Sequence, residues 1–186
     1  DLVLRVSLAA FEGHTAEAEQ IVDSSKSLRL GLEGLIALEL GILIEAKELF
    51  RIWLREVRGA SGYPQSAARK ALRGFSAQLI RLFEKWGAVP DPRLGLSLPL
   101  LRDIVFGSLE HVVWTALVQR REDTIDVPRI SRDLAAAYLR AFGLNEDQPV
   151  SRRRVAKPVA KTAKGNRRQS NGRKLNSGTR HASNTP

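Results

Sequence analysis

The sequence predicts an all-α protein, with a helical bundle over residues 1–145 and a disordered basic tail over residues 146–186. Along the first part, apolar residues recur at spacings of three and four, and the alternation typical of a β-strand is not sustained. Residues 151–186 contain no Trp, Tyr, Phe or Ile and are rich in Lys, Arg, Ser and Asn. Such a segment cannot bury enough apolar surface to offset its chain entropy, so we expect it to be disordered.

Three helices are predicted in the first part of the bundle. The first covers about residues 1–22, and the second begins at a capping serine, Ser25 or Ser27, and ends near Glu45. The second helix is apolar on most sides, so we expect it to lie at the centre of the bundle. A third helix is predicted over about residues 46–59.

Three further helices are predicted after a turn at residues 60–64. The first covers about residues 65–86 and is followed by Pro90-Asp91-Pro92, which cannot continue a helix. The second begins at Ser97 and reaches about residue 120, and the third begins at Asp126 and reaches about residue 142. Small residues on the last two helices predict that they pack together closely as a hairpin.

The charge of the chain is concentrated in its tail. The chain has 30 Lys and Arg against 20 Asp and Glu, a formal net charge of +10, and residues 151–186 contain no acid. The tail therefore predicts sequence-independent attraction to DNA phosphates that weakens as salt rises. A solubilising tail without a dedicated partner is the alternative. The residues expected to contact nucleic acid are Arg152, Arg153, Arg154, Arg167 and Arg168.

The composition argues against enzymes and metal sites. The chain has no Cys, and its three histidines, His14, His111 and His181, are widely separated. A thiol nucleophile and a cysteine zinc site are thereby excluded, and we predict no catalytic residues, no metal and no cofactor. No apolar stretch approaches the roughly 20 residues of a transmembrane helix, so we expect a cytoplasmic protein without membrane contact.

Large apolar side chains on the buried stripes of different helices are candidates for the wall of a ligand cavity. A cavity of this kind would bind a small hydrophobic molecule. The alternative is that these side chains simply form the core. The candidates are Trp53, Phe75, Leu79, Phe83, Trp86 and Phe106.

The helix expected over residues 98–120 is apolar around most of its circumference, which favours a homodimer through the last two helices. A fully internal helix in a monomer is the alternative. The adjacent Glu110 and His111 could suggest acid–base chemistry, but neighbouring helical residues point about 100° apart, so packing is the preferred interpretation. The expected interface residues are Gly107, His111, Trp114, Tyr138 and Phe142.

Arg51, Arg55 and Arg58 share one face of the third predicted helix. They could bind a phosphate or carboxylate together, or form ordinary surface pairs with nearby glutamates.

Three stretches together resemble the regulatory domain of the TetR family of bacterial transcriptional regulators. Residues 48–59, ELFRIWLREVRG, are similar to the family's "ELFRLLLREVRG" helix, and residues 102–111, RDIVFGSLEH, resemble the "RDLLFGALEH" helix of FadR-like members. Residues 130–144 are similar to the family's final helix. The resemblance spans about residues 1–145.

The resemblance implies a ligand-responsive regulator, with repression as the expected activity. The family pairs a helix-turn-helix DNA-binding module with a helical domain that dimerises and binds an effector, for FadR-like members often an acyl-CoA. No helix-turn-helix is present here. Because the chain lacks Met and begins within an apolar pattern at Asp1, we expect a DNA-binding module to precede it. The alternative, from another class, is a helical scaffold or nucleic-acid-binding protein acting through its basic tail.

Overall fold

The computed structural model describes residues 2–144, and in this range the chain is helical, with no β-strand. This confirms the all-α prediction. No helix in this part of the chain has the length and apolar composition that crossing a bilayer requires. The predicted tail at residues 146–186, with its five candidate arginines, lies outside the described residues. The helices are α1 (Leu2–Ser24), α2 (Leu28–Glu45), α3 (Lys47–Ile52), α4 (Ala67–Lys85), α5 (Leu98–Val118) and α6 (Val127–Ala141).

Helices α2 and α6 begin at polar capping residues that the sequence predicts. The hydroxyl of Ser27 accepts a hydrogen bond from the amide of Leu30 at 3.1 Å, so Ser27 rather than Ser25 caps α2. At α6, the carboxylate of Asp126 accepts from the amide of Arg129 at 3.0 Å. These side chains satisfy amides in the first turn that have no partner within the helix.

The predicted third helix is divided into two parts. Regular α3 ends at Ile52, and a π-helical segment follows over Trp53–Val57. The amide of Arg58 donates to the carbonyl of Trp53 at 2.9 Å, a bond that spans five residues instead of four. Trp53 is buried and meets the ring of Tyr63 edge-on, with ring centroids 6.0 Å apart. The wider turn thus lies where the chain passes from the core towards the surface.

Helix α2 lies at the centre of the bundle, as predicted, and packs against α1, α4, α5 and α6. Two glycines allow close approach on its surface. A Cβ at Gly31 would collide with the side chain of Leu82 on α4, and one at Gly34 would lie 2.8 Å from Cγ2 of Ile21 on α1. Larger side chains at these positions would push the helices apart.

The predicted close hairpin of α5 and α6 is not the arrangement observed. Helix α6 packs along α2, and Ala135 and Leu139 are fully buried. Helices α5 and α6 meet at a hydrogen bond between the hydroxyls of Ser108 and Tyr138. The buried side of α6 therefore faces the central helix, whereas Ala137 and Ala141 are exposed.

Candidate functional site

Two adjoining cavities lie among α2, α4 and α5. The inner cavity has a volume of about 70 Å³ and is almost entirely apolar. Its wall comes from α1, α2, α3, the π-helical segment, α4 and α5. The principal side chains are His14, Glu39, Ile42, Leu43, Leu49, Phe50, Trp53, Leu72 and Glu110.

The outer cavity is larger, about 340 Å³, more polar than the inner one, and rich in arginine. It shares Glu39, Leu72 and Glu110 with the inner cavity, so these three residues mark the junction between the two. Its other side chains include Arg58, Tyr63, Arg69, Arg73, Ser76, Arg102, Asp103 and Phe106. An apolar chamber with a cationic entrance is suited to a molecule that is apolar at one end and anionic at the other.

Glu39 is the only carboxylate buried in the described core, with 6% of its surface exposed. No hydrogen bond joins its carboxyl to another described residue, and the side chain borders both cavities. Burial, and to a smaller extent the charge of Glu110, raises the pKa of Glu39 to about 8. At neutral pH the carboxyl is therefore mostly protonated and is able to donate a hydrogen bond.

An ion pair crosses the outer cavity. Nη1 of Arg58 donates to Oε2 of Glu110, which joins the residue after the π-helical segment to α5. Glu110 therefore has a cationic partner, whereas no ion pair joins Glu39 to a residue in the described part of the chain.

The remaining arginines of the outer cavity differ in the partners of their guanidinium groups. Arg102 donates to the adjacent Asp103 through Nε and Nη2, at 2.8 and 2.7 Å. The guanidinium of Arg69 lies over the ring of Tyr63, 5.7 Å from its centroid. Arg73 is exposed and forms no ion pair with another described residue. Arg69 and Arg73 are one turn apart on α4 and are the cations best placed to receive an anion.

The predicted trio of Arg51, Arg55 and Arg58 does not form one anion site. Nη1 of Arg51 donates to Glu48 at 2.9 Å, and Nε of Arg55 donates to Glu56 at 2.7 Å. The π-helical segment changes the spacing after Ile52, and each guanidinium has a separate carboxylate partner. The arginines of the outer cavity come largely from α4 and α5 instead.

Some of the predicted ligand-binding residues border a cavity, and others lie in the core. Trp53 borders the inner cavity and Phe106 borders the outer one. Phe75, Leu79 and Phe83 are buried in the core and border neither cavity. Their position along the helix explains this, because these three residues lie on the side of α4 that is buried in the core. Phe75 nevertheless supports the wall, since its ring meets that of Phe106 edge-on at 5.6 Å.

Trp86, the sixth predicted ligand-binding residue, borders neither cavity and instead lies near the connection between α1 and α2. Its indole nitrogen donates to the hydroxyl of Ser25 at 3.3 Å. The neighbouring Lys85 donates to the carbonyls of Val22 and Asp23 at 2.7 and 2.9 Å, which satisfies the last turn of α1. Trp86 and Lys85 therefore stabilise a helix end.

One face of α5 is exposed and largely apolar, and we call it the α5 seam. It contains Gly107, His111 and Trp114, three of the five predicted interface residues, all exposed. Trp114 is 41% exposed and Val118 is 65% exposed. Successive members are four and three residues apart, the spacing of a helix face that packs on another helix. The seam consists of Leu100, Ile104, Gly107, His111, Trp114 and Val118.

The other two predicted interface residues lie on or after α6 and are less accessible. Phe142 is 4% exposed and belongs to the core of its own chain, and the half-buried Tyr138 stacks on it at 5.7 Å. The hydroxyl of Tyr138 is bonded to Ser108. Because α6 turns its apolar side to α2, the exposed apolar surface comes from α5 rather than from both helices.

Comparison with known proteins gives no relative for this chain. No family model, curated protein or solved structure matches it.

Glu39 has no predicted role on the sequence alone, although its position in the buried stripe of α2 carries a signal. Glu39 follows Leu32 and Ile36, and precedes Leu43, at spacings of four, three and four. A carboxylate within such a buried stripe is costly unless it has a partner or a function. Arg69 and Arg73 carried a weaker signal, since arginines one turn apart are common on solvated helix faces.

Proposed function

We propose that this chain is the effector-binding and dimerising part of a TetR-like, ligand-responsive transcriptional repressor. DNA recognition would be provided by an upstream helix-turn-helix module. The observation that carries the proposal is the pair of cavities lying beside the α5 seam. Gly107 borders the outer cavity and also belongs to the seam. A ligand and a second subunit would thus contact adjoining sides of the same helix.

The two cavities support an apolar effector with an anionic group. The apolar part fits against Leu43, Phe50 and Trp53 in the inner cavity. The anionic group fits beside Arg69 and Arg73 in the outer cavity. An acyl-CoA or a related lipid-derived acid has this combination of groups, in agreement with the resemblance to FadR-like regulators.

The α5 seam supports a second copy of the chain as the partner. A single helix face with alternating spacings of three and four can pack against its own copy across a two-fold axis. Gly107, near the middle of the seam, permits close approach because it has no side chain, and the space beside it is open, since a Cβ there would meet no atom of its own chain within 4 Å. Effector binding would change the equilibrium between dimer arrangements only if it favours one of them.

Binding of decanoate, followed by calorimetry, tests this proposal. We expect saturable binding at one site per chain. Leu72→Trp should abolish it, because Leu72 borders both cavities and the larger ring would fill their junction. Leu30→Trp is the matched control, since Leu30 is 54% exposed on α2 and borders neither cavity. Equal binding by the two variants, both folded by circular dichroism, would contradict the proposal.

A second candidate function rests on the separation of charge along the sequence. All the acids lie before residue 151, and the following residues carry only basic charge. A helical scaffold or nucleic-acid-binding protein acting through this tail would bind DNA or RNA without a small-molecule effector. Retention of nucleic-acid affinity together with no binding of decanoate would favour this candidate.

A further inference from the structure

We propose that Glu39 determines the specificity of the site, and that its carboxyl donates a hydrogen bond to a neutral oxygen part-way along the effector. This inference rests on the proposed function, because it concerns the same cavities. It narrows the effector to an anionic amphiphile whose chain carries a ketone, hydroxyl or similar oxygen. A plain hydrocarbon chain would leave the carboxyl without a partner.

The position of Glu39 defines where such an oxygen would lie. The carboxyl is at the junction of the cavities, between the apolar wall at Leu43 and Trp53 and the arginines of the outer cavity. An effector that spans both cavities must pass this point. An oxygen located between its anionic group and its apolar end would therefore come beside Glu39.

The carboxyl has an unused hydrogen-bonding capacity. Only 6% of the surface of Glu39 is exposed, and no described residue is hydrogen-bonded to its side chain. Glu39 borders both cavities, and its oxygens are not among the fully buried atoms that lack a partner in the described part of the chain. A ligand oxygen in the cavity would therefore be able to reach the carboxyl and use this capacity.

Among the charged and titratable groups around Glu39, Glu110 is the one whose charge favours the neutral form of its carboxyl. Helix α5 contributes Glu110, whose partner is Arg58, together with the paired Arg102 and Asp103. Helix α1 contributes His14 to the inner wall. Helix α4 contributes the guanidinium groups of Arg69 and Arg73 at the outer cavity. None of these groups is hydrogen-bonded to Glu39.

The protonation of Glu39 agrees with a donor role. Burial and the charge of Glu110 raise the pKa of Glu39 to about 8, so the donor proton is present at pH 7. An ammonium group is the competing ligand for a carboxyl in an apolar site. The arginines at the outer cavity oppose it, because a cation would have to pass several like charges.

The experiment compares decanoate, 5-oxodecanoate and decylammonium as probes, by calorimetry on the full chain. The variants are Glu39→Gln, which keeps a neutral donor, and Glu39→Leu, which removes it. We expect the affinity ratio of 5-oxodecanoate to decanoate to be about tenfold higher in the wild type and in Glu39→Gln than in Glu39→Leu. Glu39→Leu should still bind decanoate, which shows that the cavity is intact.

The pH dependence gives a second readout. In the wild type the ratio should fall between pH 7 and pH 9, as Glu39 loses its proton through its pKa of about 8. In Glu39→Gln it should stay constant, because the amide does not titrate.

The outcomes separate this inference from the function on which it rests. Binding of decanoate with the same ratio in all three proteins would overturn the role of Glu39 and leave the proposed function standing. Preferred binding of decylammonium, increasing with pH and lost in Glu39→Gln, would also overturn it in favour of a cationic effector. Failure of every probe to bind the wild type would overturn both.

Discussion

Arg58 and Glu110 form an ion pair that joins the end of the π-helical segment to the middle of α5. Glu110 also borders both cavities beside Glu39, and it lies next to His111 of the α5 seam. One pair of side chains thus connects the cavity wall with the helix that carries the seam. An effector that displaces Arg58 from Glu110 would act on α5 directly.

Replacement of Phe83 should affect stability and leave ligand binding unchanged. Phe83 is fully buried and borders neither cavity. We expect Phe83→Leu to lower the free energy of unfolding by about 1–2 kcal/mol, through lost contacts and a small cavity. Denaturant unfolding measures this change, and calorimetry at a temperature where the variant is folded should give the wild-type affinity for decanoate. A large loss of affinity would instead place Phe83 at the ligand.

The distinction between residues that form the core and residues that line a cavity could not be made from the sequence. The 3.6-residue period identifies Phe75, Leu79 and Phe83 as the buried side of α4, and the structure confirms that they are buried. The period does not show which part of a buried stripe meets another helix and which part meets a cavity. That depends on how α2 lies against α4, which glycines such as Gly31 allow.

Glu39 should make the stability of the ligand-free protein decrease with pH. Its pKa is about 8 in the folded protein and near the ordinary value of 4.5 in the unfolded chain. Between these values the folded state holds one more proton than the unfolded state, so stability falls as pH rises, by at most about 1.4 kcal/mol per unit. Above pH 8 this contribution should level off.

Glu39→Gln should remove that slope, since the amide does not titrate. Urea unfolding of the wild type and the variant at pH 5.5, 6.5 and 7.5 measures the difference. Parallel curves for the two proteins would show that Glu39 does not carry the raised pKa.

Gly107→Gln should weaken self-association without disturbing the fold. A Cβ at Gly107 meets no atom within 4 Å in the chain itself, so the new side chain has room in the monomer. At the α5 seam, the glutamine side chain would keep the α5 helices of two subunits apart. Gly74→Gln is the matched control, because Gly74 is an exposed helical glycine on α4 with equal space around it.

Both glycine variants should be slightly more stable than the wild type, by up to about 1 kcal/mol, because glycine is a poor helix former. Cross-linking at several protein concentrations reports association. If Gly107→Gln cross-links as well as Gly74→Gln does, the seam is not the interface.

Deletion of residues 151–186 should remove most of the salt-sensitive affinity for DNA. These residues hold eleven Lys and Arg and no acid, so they account for the positive charge of the whole chain. Counterion release makes such binding fall steeply with salt. Fluorescence anisotropy with a random duplex at low and high salt compares the full and shortened chains. An unchanged salt dependence would indicate that the tail only improves solubility.

The sequence predicted the helices more fully than the interface. The helix starts are predictable because each depends on a few neighbouring residues. A capping side chain accepts a hydrogen bond from an amide in the first turn, as at Ser27, Ser97 and Asp126. The exposure of Trp114 and the burial of Phe142 depend instead on which helix covers which. Helix α2 covers the apolar side of α6 and leaves one face of α5 exposed. Both helices contain many apolar residues, so their composition alone does not show which of them is covered.

Sedimentation equilibrium of the full chain, at concentrations from low to high micromolar, is the most direct test of an account that depends on the α5 seam. A reversible dimer with twice the 20.6 kDa mass of the chain is the predicted result, and Gly107→Gln should shift the equilibrium towards monomer while Gly74→Gln does not. A mass of 20.6 kDa for the wild type throughout this range would contradict the account, because the exposed seam would then have no second copy to cover it.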